Sequence, residues 1–575
     1  MILRKILVSG LVVALCSMPV FAAQPVPKML AYSAQPNAYF DDHADVVGGI
    51  LDGLFFVVGD WDKAIESKLG LSADGDAETD WEKQLGKNIE HLRQAGATDS
   101  LLGVHFASDG EWPSPETILS KDFTAKMARH FGTLGATAER LGLRGVCIDV
   151  EYPYQRYELD HEIYTFDGYT VEDIEQGCRG QGRAIMTSVL DAFPDAVIFV
   201  LPGELWTRPL DRQLMLGMLD VMAERDAPGG FHLGAERGYC LYEYPLTQVA
   251  LCREGDLAAH ALLDDECLDY WQRRCTVAPG VWPLHMAETG GKNYPKQPWR
   301  DELAEVRAQM EVLRATAKRY MWCFTSHPIW YTPSSDIAAQ YGLPEPSFPE
   351  GKETITAWQA ILADRGVTED PRVLDMIRDV QRFDKGALSP AELCGRLGTP
   401  GEWLMLGPLG NPFVNPAFAA SGAALRPPKR SGVWHGRDGA VRWFTFPLYN
   451  PLGSVPLRAV MDWRDTDFAS YHCAAVIHAE KDVAAVMLLN WDDGAIVRLN
   501  GQVVSDHAQY PERGHGLQYN DRYLFEDKVP VALHEGDNDL MVTCINAKGG
   551  WGFNIRFVDE DGFPVKALSF GVPGE

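Results

Sequence analysis

Residues 144–153 read Arg-Gly-Val-Cys-Ile-Asp-Val-Glu-Tyr-Pro, an apolar run that ends in two carboxylates. This composition predicts a buried β-strand, and the side chains of a strand alternate between its two faces. Asp149 and Glu151 therefore point to the same side, with Cys147 behind them. Two acids on the interior side of a strand are costly to bury unless they act chemically. In a parallel barrel they lie at the C-terminal strand end, where such barrels carry their active sites.

The surrounding sequence predicts a (β/α)8 TIM barrel, because eight apolar runs alternate with amphipathic helical stretches. A doubly wound open sheet is the alternative, but it normally has fewer strands. The predicted strands are 29–34, 53–59, 101–107, 145–151, 196–202, 230–236, 281–288 and 320–326. The helical stretches include 79–94, 123–141, 182–192, 212–225 and 302–318.

Polar or aromatic residues follow each predicted strand. Aromatic faces stack on the C–H surfaces of sugars, and carboxylates accept hydroxyl hydrogen bonds and carry acid/base chemistry. Together they predict a carbohydrate-binding cleft, in which Trp61 is also expected. The candidate substrate-binding residues are Tyr32, Asp60, His105, Asp109, Trp112, Tyr152, Glu204, Trp206, Tyr239, His327 and Trp330.

The length and charge of the chain limit its organisation and its partners. A chain of 575 residues is too long for one core, so two or three domains are expected. The net charge of −28 argues against nucleic acid or an anionic membrane as a partner, because both require basic patches. The sequence does not indicate an oligomeric state.

The N-terminal residues are typical of a secretory signal peptide over residues 1–23. Arg4 and Lys5 precede a short apolar core, and small residues at 22 and 23 offer a cleavage site near Ala22 or Ala23. Later residues contain no apolar run of the length that a membrane span needs. We therefore expect a secreted or periplasmic protein.

The periodicity changes after the barrel, which is expected to cover residues 24–345. Residues 346–393 are charged and helical and are expected to form a connector. Residues 394–575 are expected to form an all-β jelly-roll sandwich, with a type I′ hairpin at Asn500-Gly501. Its predicted strands are 403–406, 441–446, 474–478, 484–489, 495–499, 529–533, 539–545 and 553–558.

The cysteines are compatible with disulfides if the protein is exported. The best candidates are clustered in one loop-rich stretch and are Cys240, Cys252, Cys267 and Cys275. Cys147 and Cys323 lie in apolar strands and are expected to be buried thiols. No spacing of His and Cys residues predicts a metal site, and no dinucleotide or phosphate fingerprint predicts a cofactor.

Residues 145–153 resemble the fourth-strand signature of the family 18 glycoside hydrolases, the chitinase-like barrels. That signature is Asp-Gly-x-Asp-x-Asp-x-Glu, often followed by Tyr-Pro. The resemblance implies that Glu151 is the proton donor and Asp149 the last aspartate of the pattern. The two upstream aspartates are replaced here by Arg144 and Cys147. This departure puts in doubt a mechanism in which the acetamido group of the substrate is the nucleophile.

A second resemblance is to the retaining clan of (β/α)8 glycosidases, which carry one Glu at the end of strand four and another at the end of strand seven. It implies that Glu151 is the acid/base and Glu288 the nucleophile. The clan usually has Asn before its strand-four Glu, where this chain has Val150. Glu236, after the sixth strand, is the other candidate for the partner carboxylate.

These features predict a secreted glycoside hydrolase that cleaves a poly- or oligosaccharide. One alternative is a non-catalytic carbohydrate-binding protein on a degenerate barrel. The other is a polysaccharide lyase with Tyr239 or His232 as base. The C-terminal region resembles the galactose-binding-like sandwiches of secreted carbohydrate enzymes, and within it Trp551 is expected to be a packing residue rather than a sugar platform.

Overall fold

The structure is a computed structural model in which most of the chain is described. The described residues are 26–70, 78–106, 113–150, 168–202, 209–236, 245–281, 303–324, 335–343, 352–410, 432–437, 439–448, 450–460, 468–508, 527–547 and 551–574. Across these ranges, no helix has both the length and the apolar character needed to span a membrane.

The first unit is a closed barrel of eight parallel strands, as predicted. Each strand pairs with the next in sequence order, and the last pairs with the first. The strands are β1 Lys28–Ala34, β2 Gly53–Asp60, β3 Leu101–His105, β4 Gly145–Asp149, β5 Val197–Leu201, β6 Phe231–Ala235, β7 Thr276–Val281 and β8 Tyr320–Phe324.

Helices follow the strands, and several of the long ones begin at a side-chain cap that satisfies an otherwise unpaired N–H group. Thr79 and Thr170 form complete capping boxes. The helices of this unit are α1 Tyr39–Asp42, α2 Ala44–Gly48, α3 Lys63–Lys68, α4 Asp80–Gln94, α5 Pro115–Ile118, α6 Lys121–Arg140, α7 Val171–Ala192, α8 Pro209–Glu224, α9 Pro245–Leu251, α10 Glu254–Leu262, α11 Asp265–Arg274, α12 Leu303–Thr316 and α13 Ser335–Gln340.

The position predicted for the seventh strand was wrong. The prediction placed its start at residue 281, whereas β7 begins at Thr276 and its described residues are Thr276–Val281. Thr276–Val281 contains a proline and a glycine, which weaken a strand signal in sequence, but all six residues are buried between β6 and β8. Glu288, which was predicted to end this strand, lies outside the described residues.

The barrel has two apolar layers. Its interior is filled by a cluster that includes Leu30, Phe55, Phe199 and Trp322, while a larger cluster lies between the strands and the helices. Gly280 is required by this interior, because a Cβ there would lie 2.6 Å from the Trp322 ring. The barrel is thus a packed core with space for chemistry only at its ends.

The C-terminal unit is a sandwich of two antiparallel sheets, joined to the barrel by α14 Lys352–Ala363, α15 Pro371–Asp384 and α16 Pro390–Arg396. One sheet pairs the strands 444–447, 402–410, 469–479, 536–545, 494–499 and 502–506 in that order, with 568–571 also pairing with 469–479. The other sheet pairs 454–456, 552–558, 483–491 and 527–533 in that order. The predicted hairpin is confirmed, since Asn500 and Gly501 both have positive φ between the strands 494–499 and 502–506. Trp551 is buried against Tyr471, as expected for a packing residue.

The bounds of this unit follow, with a short helix α17 Leu457–Val460 between β13 and β14. The strands are β9 Glu402–Gly410, β10 Val433–His435, β11 Ala440–Arg442, β12 Phe444–Pro447, β13 Ser454–Pro456, β14 Ala469–Ala479, β15 Val483–Trp491, β16 Gly494–Leu499, β17 Gln502–Asp506, β18 Asp527–Leu533, β19 Gly536–Ile545, β20 Gly552–Val558 and β21 Leu568–Gly571.

Barrel and sandwich share one apolar cluster, which joins α9 and α15 to both sheets. A buried ion network lies beside it, where Arg253 donates to Asp384 at 3.0 and 2.9 Å and Lys318 lies 3.0 Å from both Asp256 and Asp384. Asn450 of the sandwich also donates to Glu254 of the barrel at 2.9 Å.

The disulfide prediction was wrong for the candidates that the structure describes. Cys252, Cys267 and Cys275 are free, buried thiols, and Cys267 lies against the Asp220 carboxylate at 3.8 Å. Cys267 lies in α11, whereas Cys252 and Cys275 lie between elements, and all three side chains are buried. Their nearness in sequence therefore does not bring the sulfur atoms together. Cys240 lies outside the described residues.

Candidate active site at the mouth of the barrel

The candidate site is built on the C-terminal end of β4. Gly145 permits the close approach of β5, because a Cβ there would lie 2.0 Å from the Val197 carbonyl oxygen. Cys147 is fully buried in the barrel interior, and Asp149 closes the strand with 7% of its surface exposed. The predicted alternation is confirmed for this pair, since both residues face the interior.

Two side chains from other barrel strands hold the Asp149 carboxylate. The Tyr32 hydroxyl donates to Oδ2 at 2.7 Å, and Nδ1 of His105 lies 3.4 Å from the same oxygen. His105 pairs with Asp149 across β3 and β4, whereas Tyr32 reaches it from β1. Three residues from three strands therefore meet at one carboxylate oxygen.

An aromatic floor closes the barrel below this group. The ring of Tyr32 stacks on Phe324 with centroids 5.8 Å apart and meets the edges of Phe55 and Trp322 at 5.7 and 6.2 Å. Sequence analysis missed Phe324, although the alternation Tyr320, Trp322 and Phe324 along β8 marks it as the third inward residue. These rings pack the barrel interior beneath the carboxylate.

Cys147 lies directly below Asp149, at the position of one of the two aspartates that the family 18 pattern expects. Burial raises the pKa of its thiol well above the ordinary value, and the neighbouring Asp149 raises it further. The group is therefore neutral at physiological pH. A neutral thiol cannot supply the negative charge that a carboxylate would supply here.

Two more predicted residues lie at the same end of the barrel. Asp60 pairs with His105 across β2 and β3. Glu236 directly follows β6, and a Cβ on Gly234 would meet Leu201 and Phe199 in the interior. Strand alternation from Gly234 directs Glu236 to the interior side at the mouth.

Trp61, expected in the cleft, lies elsewhere. It is 4% exposed and stacks between Phe106 and Phe131, under helix α6, with ring centroids 6.2 and 6.3 Å away. The backbone N–H of Trp61 bonds to His105, so the residue continues β2 by one position. That added position points away from the barrel interior, and its side chain packs between strands and helices.

The remaining predicted site residues lie outside the described part of the chain, although the sequence places most of them shortly after barrel strands. The roles predicted for the catalytic pair Glu151 with Glu288 or Glu236 are therefore untested. These residues are Asp109, Trp112, Glu151, Tyr152, Glu204, Trp206, Tyr239, Glu288, His327 and Trp330.

His232, considered above as a lyase base, lies at the opposite, N-terminal end of the barrel. It is completely buried, with Nδ1 2.7 Å from the Thr276 hydroxyl and Nε2 3.1 Å from the Gly229 carbonyl. Burial, with a contribution from the nearby Arg319, lowers its pKa to about 3. A buried imidazole bonded at both nitrogens cannot accept a proton from a polymer at the mouth, so this assignment was wrong.

Nothing at the described mouth forms a metal centre. Within the described ranges, no group of three His, Cys, Asp or Glu side chains is arranged to hold a metal ion. His105 and Asp149 contribute one imidazole and one carboxylate, which are mutually in contact. The described groups can orient a hydroxyl and exchange protons with it.

Comparisons with known proteins give only a fold-level likeness. No known protein family and no curated protein matches the sequence. Glycoside hydrolases of families 5, 10, 18 and 26 are among the solved structures that are similar to the chain.

One is an endo-β-mannanase/endo-β-glucanase from Prevotella bryantii, at 11% identity and TM-score 0.31, covering 59% of this chain. This chain spans about half of that protein, 49% of its length. A family 18 chitinase from Pseudoalteromonas aurantia has 12% identity and TM-score 0.28, and the match covers 52% of this chain and 93% of that protein.

Old Yellow Enzyme from Pichia sp. AKU4542 is similar at the same level, with 10% identity and TM-score 0.30. The match covers 57% of this chain and 86% of that protein. Likenesses this weak assign no activity, and enzymes of different kinds share them. The barrel is identified by the pairing of its eight strands, and the function has to be inferred from the site.

Proposed function

We propose that this protein is a glycoside hydrolase that cleaves a poly- or oligosaccharide by carboxylate acid/base catalysis at the mouth of the barrel. The observation that carries the proposal is the buried Asp149 carboxylate, held by Tyr32 and His105 at the C-terminal end of β4. Barrel enzymes place their catalytic groups at this end. A closed aromatic floor beneath an oriented carboxylate suits a site that excludes water from one side.

Glu151 is the proposed proton donor. It follows Asp149 by two positions, so continued alternation directs its carboxyl group toward the same side of the strand. A donor must hold its proton near neutral pH, and the negative charge of Asp149 favours the protonated form of a neighbouring acid. Asp149 is therefore proposed as a positioning residue for Glu151.

Glu236 is the better candidate for the second carboxylate. It directly follows β6 on the interior side, whereas Glu288 lies outside the described residues. The separation of the two carboxyl groups would decide between the stereochemical outcomes, about 5–5.5 Å for retention and about 6.5–9.5 Å for inversion. We propose Glu151 and Glu236 as the catalytic pair, with Glu288 as the alternative partner.

The substrate-assisted mechanism of family 18 is not proposed. That resemblance requires carboxylates at positions occupied here by Cys147, a neutral thiol, and Arg144, which precedes β4 at the other end of the barrel. The same departure favours the second candidate function, a non-catalytic carbohydrate-binding protein. Export through residues 1–23 remains a proposal made from sequence alone.

The test is a screen of the mature chain against soluble polysaccharides, with release of reducing ends as the readout. Glu151→Gln should lower turnover at least about 100-fold, the usual scale for general acid catalysis. Glu139→Gln, on the exposed surface of α6, is the matched control and should retain activity.

Three outcomes separate the candidate functions. Full turnover by the Glu151→Gln variant would contradict the assignment of the proton donor. Glycan binding without any product at every pH tested would establish the binding protein instead. Products that absorb in the ultraviolet would indicate a lyase, for which Tyr239 is then the remaining base.

A further inference from the structure

One face of the smaller sandwich sheet carries a buried polar strip. Phe553, Ile555 and Phe557 of β20 face the sandwich core. The alternate residues Asn554 and Arg556 therefore face the other way. Ser454 pairs with Asn554 across β13 and β20, so it lies on that same outer face. All three polar residues are at most 1% exposed.

The strip is covered by backbone from the joint between barrel and sandwich. The Arg556 side chain passes Gly398, just beyond α16, where a Cβ would lie 3.5 Å from its Cγ. Its Nη2 donates to the Pro451 carbonyl. The adjacent Asn450 donates to Glu254 of the barrel. The guanidinium is thus enclosed by the segments that connect the two units.

The polar atoms of this strip are not satisfied. Nε and Nη1 of Arg556, Oγ of Ser454 and Oδ1 of Asn554 are buried without a hydrogen-bond partner. An unmade hydrogen bond of a buried group destabilises the fold, and more so where the group is charged. Four such atoms along one strip indicate that something else occupies the space beside them.

Among the residues that the structure describes, no carboxylate is a counter-ion for the charge of Arg556. Burial lowers the pKa of its guanidinium to about 9, and the one ionisable group that acts on it is Cys394. Burial raises the pKa of that thiol to about 12, so Cys394 is neutral. At pH 7 the strip therefore contains a guanidinium cation without a negative partner.

Two other buried arginines, Arg253 and Arg314, have acids nearby. Arg253 donates to both oxygens of Asp384. Arg314 also has one buried guanidinium nitrogen, Nη1, without a hydrogen-bond partner, but Asp364 and Glu311 favour its charged form. Because this protein elsewhere supplies carboxylates to its buried guanidinium groups, the exception at Arg556 requires a different source of negative charge.

We propose that a small inorganic anion, chloride in ordinary buffers, binds between Arg556 and Ser454 at the joint of barrel and sandwich. It accepts hydrogen bonds from Nε or Nη1 of Arg556 and from the Ser454 hydroxyl, and a water molecule bridges it to Oδ1 of Asn554. A monatomic, monovalent anion suits an enclosed strip, because it accepts several donors without requiring a fixed geometry. Phosphate or sulfate would bring oxygens that these few donors leave unpaired.

The site has a consequence for stability. The anion binds the folded chain and not the unfolded chain, so the folded state gains stability as its concentration rises. It ties β20 to residues 394–399, at the end of the connector between the units, and to residues 450–453 of the sandwich, where Asn450 contacts the barrel. Chloride should therefore stabilise the joint rather than the catalytic mouth.

The test is thermal unfolding of the full chain in sodium chloride and in sodium gluconate at equal ionic strength. We expect a melting temperature higher by about 2 °C or more in chloride, rising with concentration. Arg556→Met should abolish the difference between the salts. Arg396→Met, on the exposed side of α16, changes the net charge equally and should retain it.

A second variant and a direct observation keep the proposal testable if Arg556→Met fails to fold. Ser454→Ala removes one donor, keeps the guanidinium and should weaken the chloride dependence. Crystals grown in sodium bromide should show an anomalous peak within hydrogen-bonding distance of Arg556. Equal melting temperatures in both salts, or an ordered guanidinium with only water beside it, would overturn the proposal.

Discussion

The barrel has a tyrosine–carboxylate pair at each end, and the two pairs serve different purposes. At the mouth Tyr32 donates to Asp149 at 2.7 Å, and at the base Tyr320 donates to Asp99 at 3.3 Å. Asp99 also faces Lys28 at 3.8 Å, whereas Asp149 faces His105 at 3.4 Å. The base pairs its carboxylate with a permanent cation, and the mouth with an imidazole that can gain or lose a proton.

The difference shows what a buried polar group indicates about function. The base cluster includes His232, whose two ring nitrogens are both hydrogen-bonded. It lies at the N-terminal ends of the strands, where residues of this fold contribute to stability rather than to catalysis. The mouth cluster faces the loops that follow the strands. Its one imidazole, His105, has a side chain that is 36% exposed. Burial alone does not separate these clusters, but position along the barrel does.

The largest expected effect is at the mouth carboxylate. Asp149→Asn should lower turnover at least about 100-fold on the substrate found in the screen. The reason is that Glu151 loses the neighbouring negative charge that favours its protonated form. The free energy of unfolding should change little, since the amide still accepts from Tyr32. Asp99→Asn is the matched control at the base, and it should keep turnover while costing about 1 kcal/mol of stability. If urea unfolding showed that Asp149→Asn loses stability while Asp99→Asn loses turnover, the assignment of catalysis to the mouth and stability to the base would be contradicted.

The next effect is a pH dependence that belongs to the base. The pKa of His232 is lowered to about 3 in the folded protein, against about 6.5 in an unfolded chain. The contribution of the neutral His232 imidazole to the free energy of unfolding is fully present above about pH 6.5 and is lost as the pH falls toward about 3. The loss is on the order of 2 kcal/mol by about pH 5. His232→Asn should be less stable at pH 7 but lose less stability between pH 7 and 5 in urea unfolding.

The His435→Asn variant, at an exposed histidine, is the control for this loss of stability between pH 7 and pH 5. Its free energy of unfolding should equal that of the wild type at both pH values. Turnover at pH 7 should be the same in all three proteins. If the His232 variant kept the full acid-dependent loss, the imidazole would not be its source.

The smallest effect concerns the two hydroxyl groups. Tyr32→Phe removes the hydrogen bond to Asp149 and should lower turnover about tenfold, since hydrogen bonds to charged groups contribute about 1.5–3 kcal/mol. Tyr320→Phe removes the longer bond to Asp99 and should leave turnover unchanged. Equal losses of turnover in the two variants would show that the tyrosines act through barrel packing rather than through the carboxylate at the mouth.

Much of the fold was predictable, because its determinants are local. Alternation between strand-like runs and amphipathic helices predicted the barrel, and seven of its eight strands lie where expected. Asn500-Gly501 predicted a hairpin because both residues tolerate positive φ. The seventh strand was misplaced, since Pro279 and Gly280 obscure a strand whose stability comes from its two neighbours.

The site was predictable in part. The alternation along β4 predicted that Cys147 and Asp149 share the interior side, and Tyr32 and His105 were correctly placed at the mouth. Their contact with one Asp149 oxygen was not predictable, because it joins strands that are far apart in sequence. Trp61 and His232 were misassigned for a related reason: the sequence marks a residue near a strand end, but not whether it faces the mouth, the helices or the base.

The sequence by itself determined the alternating elements, the turn residues and the carboxylates that end the fourth strand, since these depend on neighbours within a few residues. Tertiary structure alone decided which groups meet: Tyr32 with Asp149, Arg253 with Asp384, and Arg556 with no acid among the described residues. The reason is physical. The charge and hydrogen bonding of a buried group are satisfied through space, by residues that chain closure brings together from distant positions.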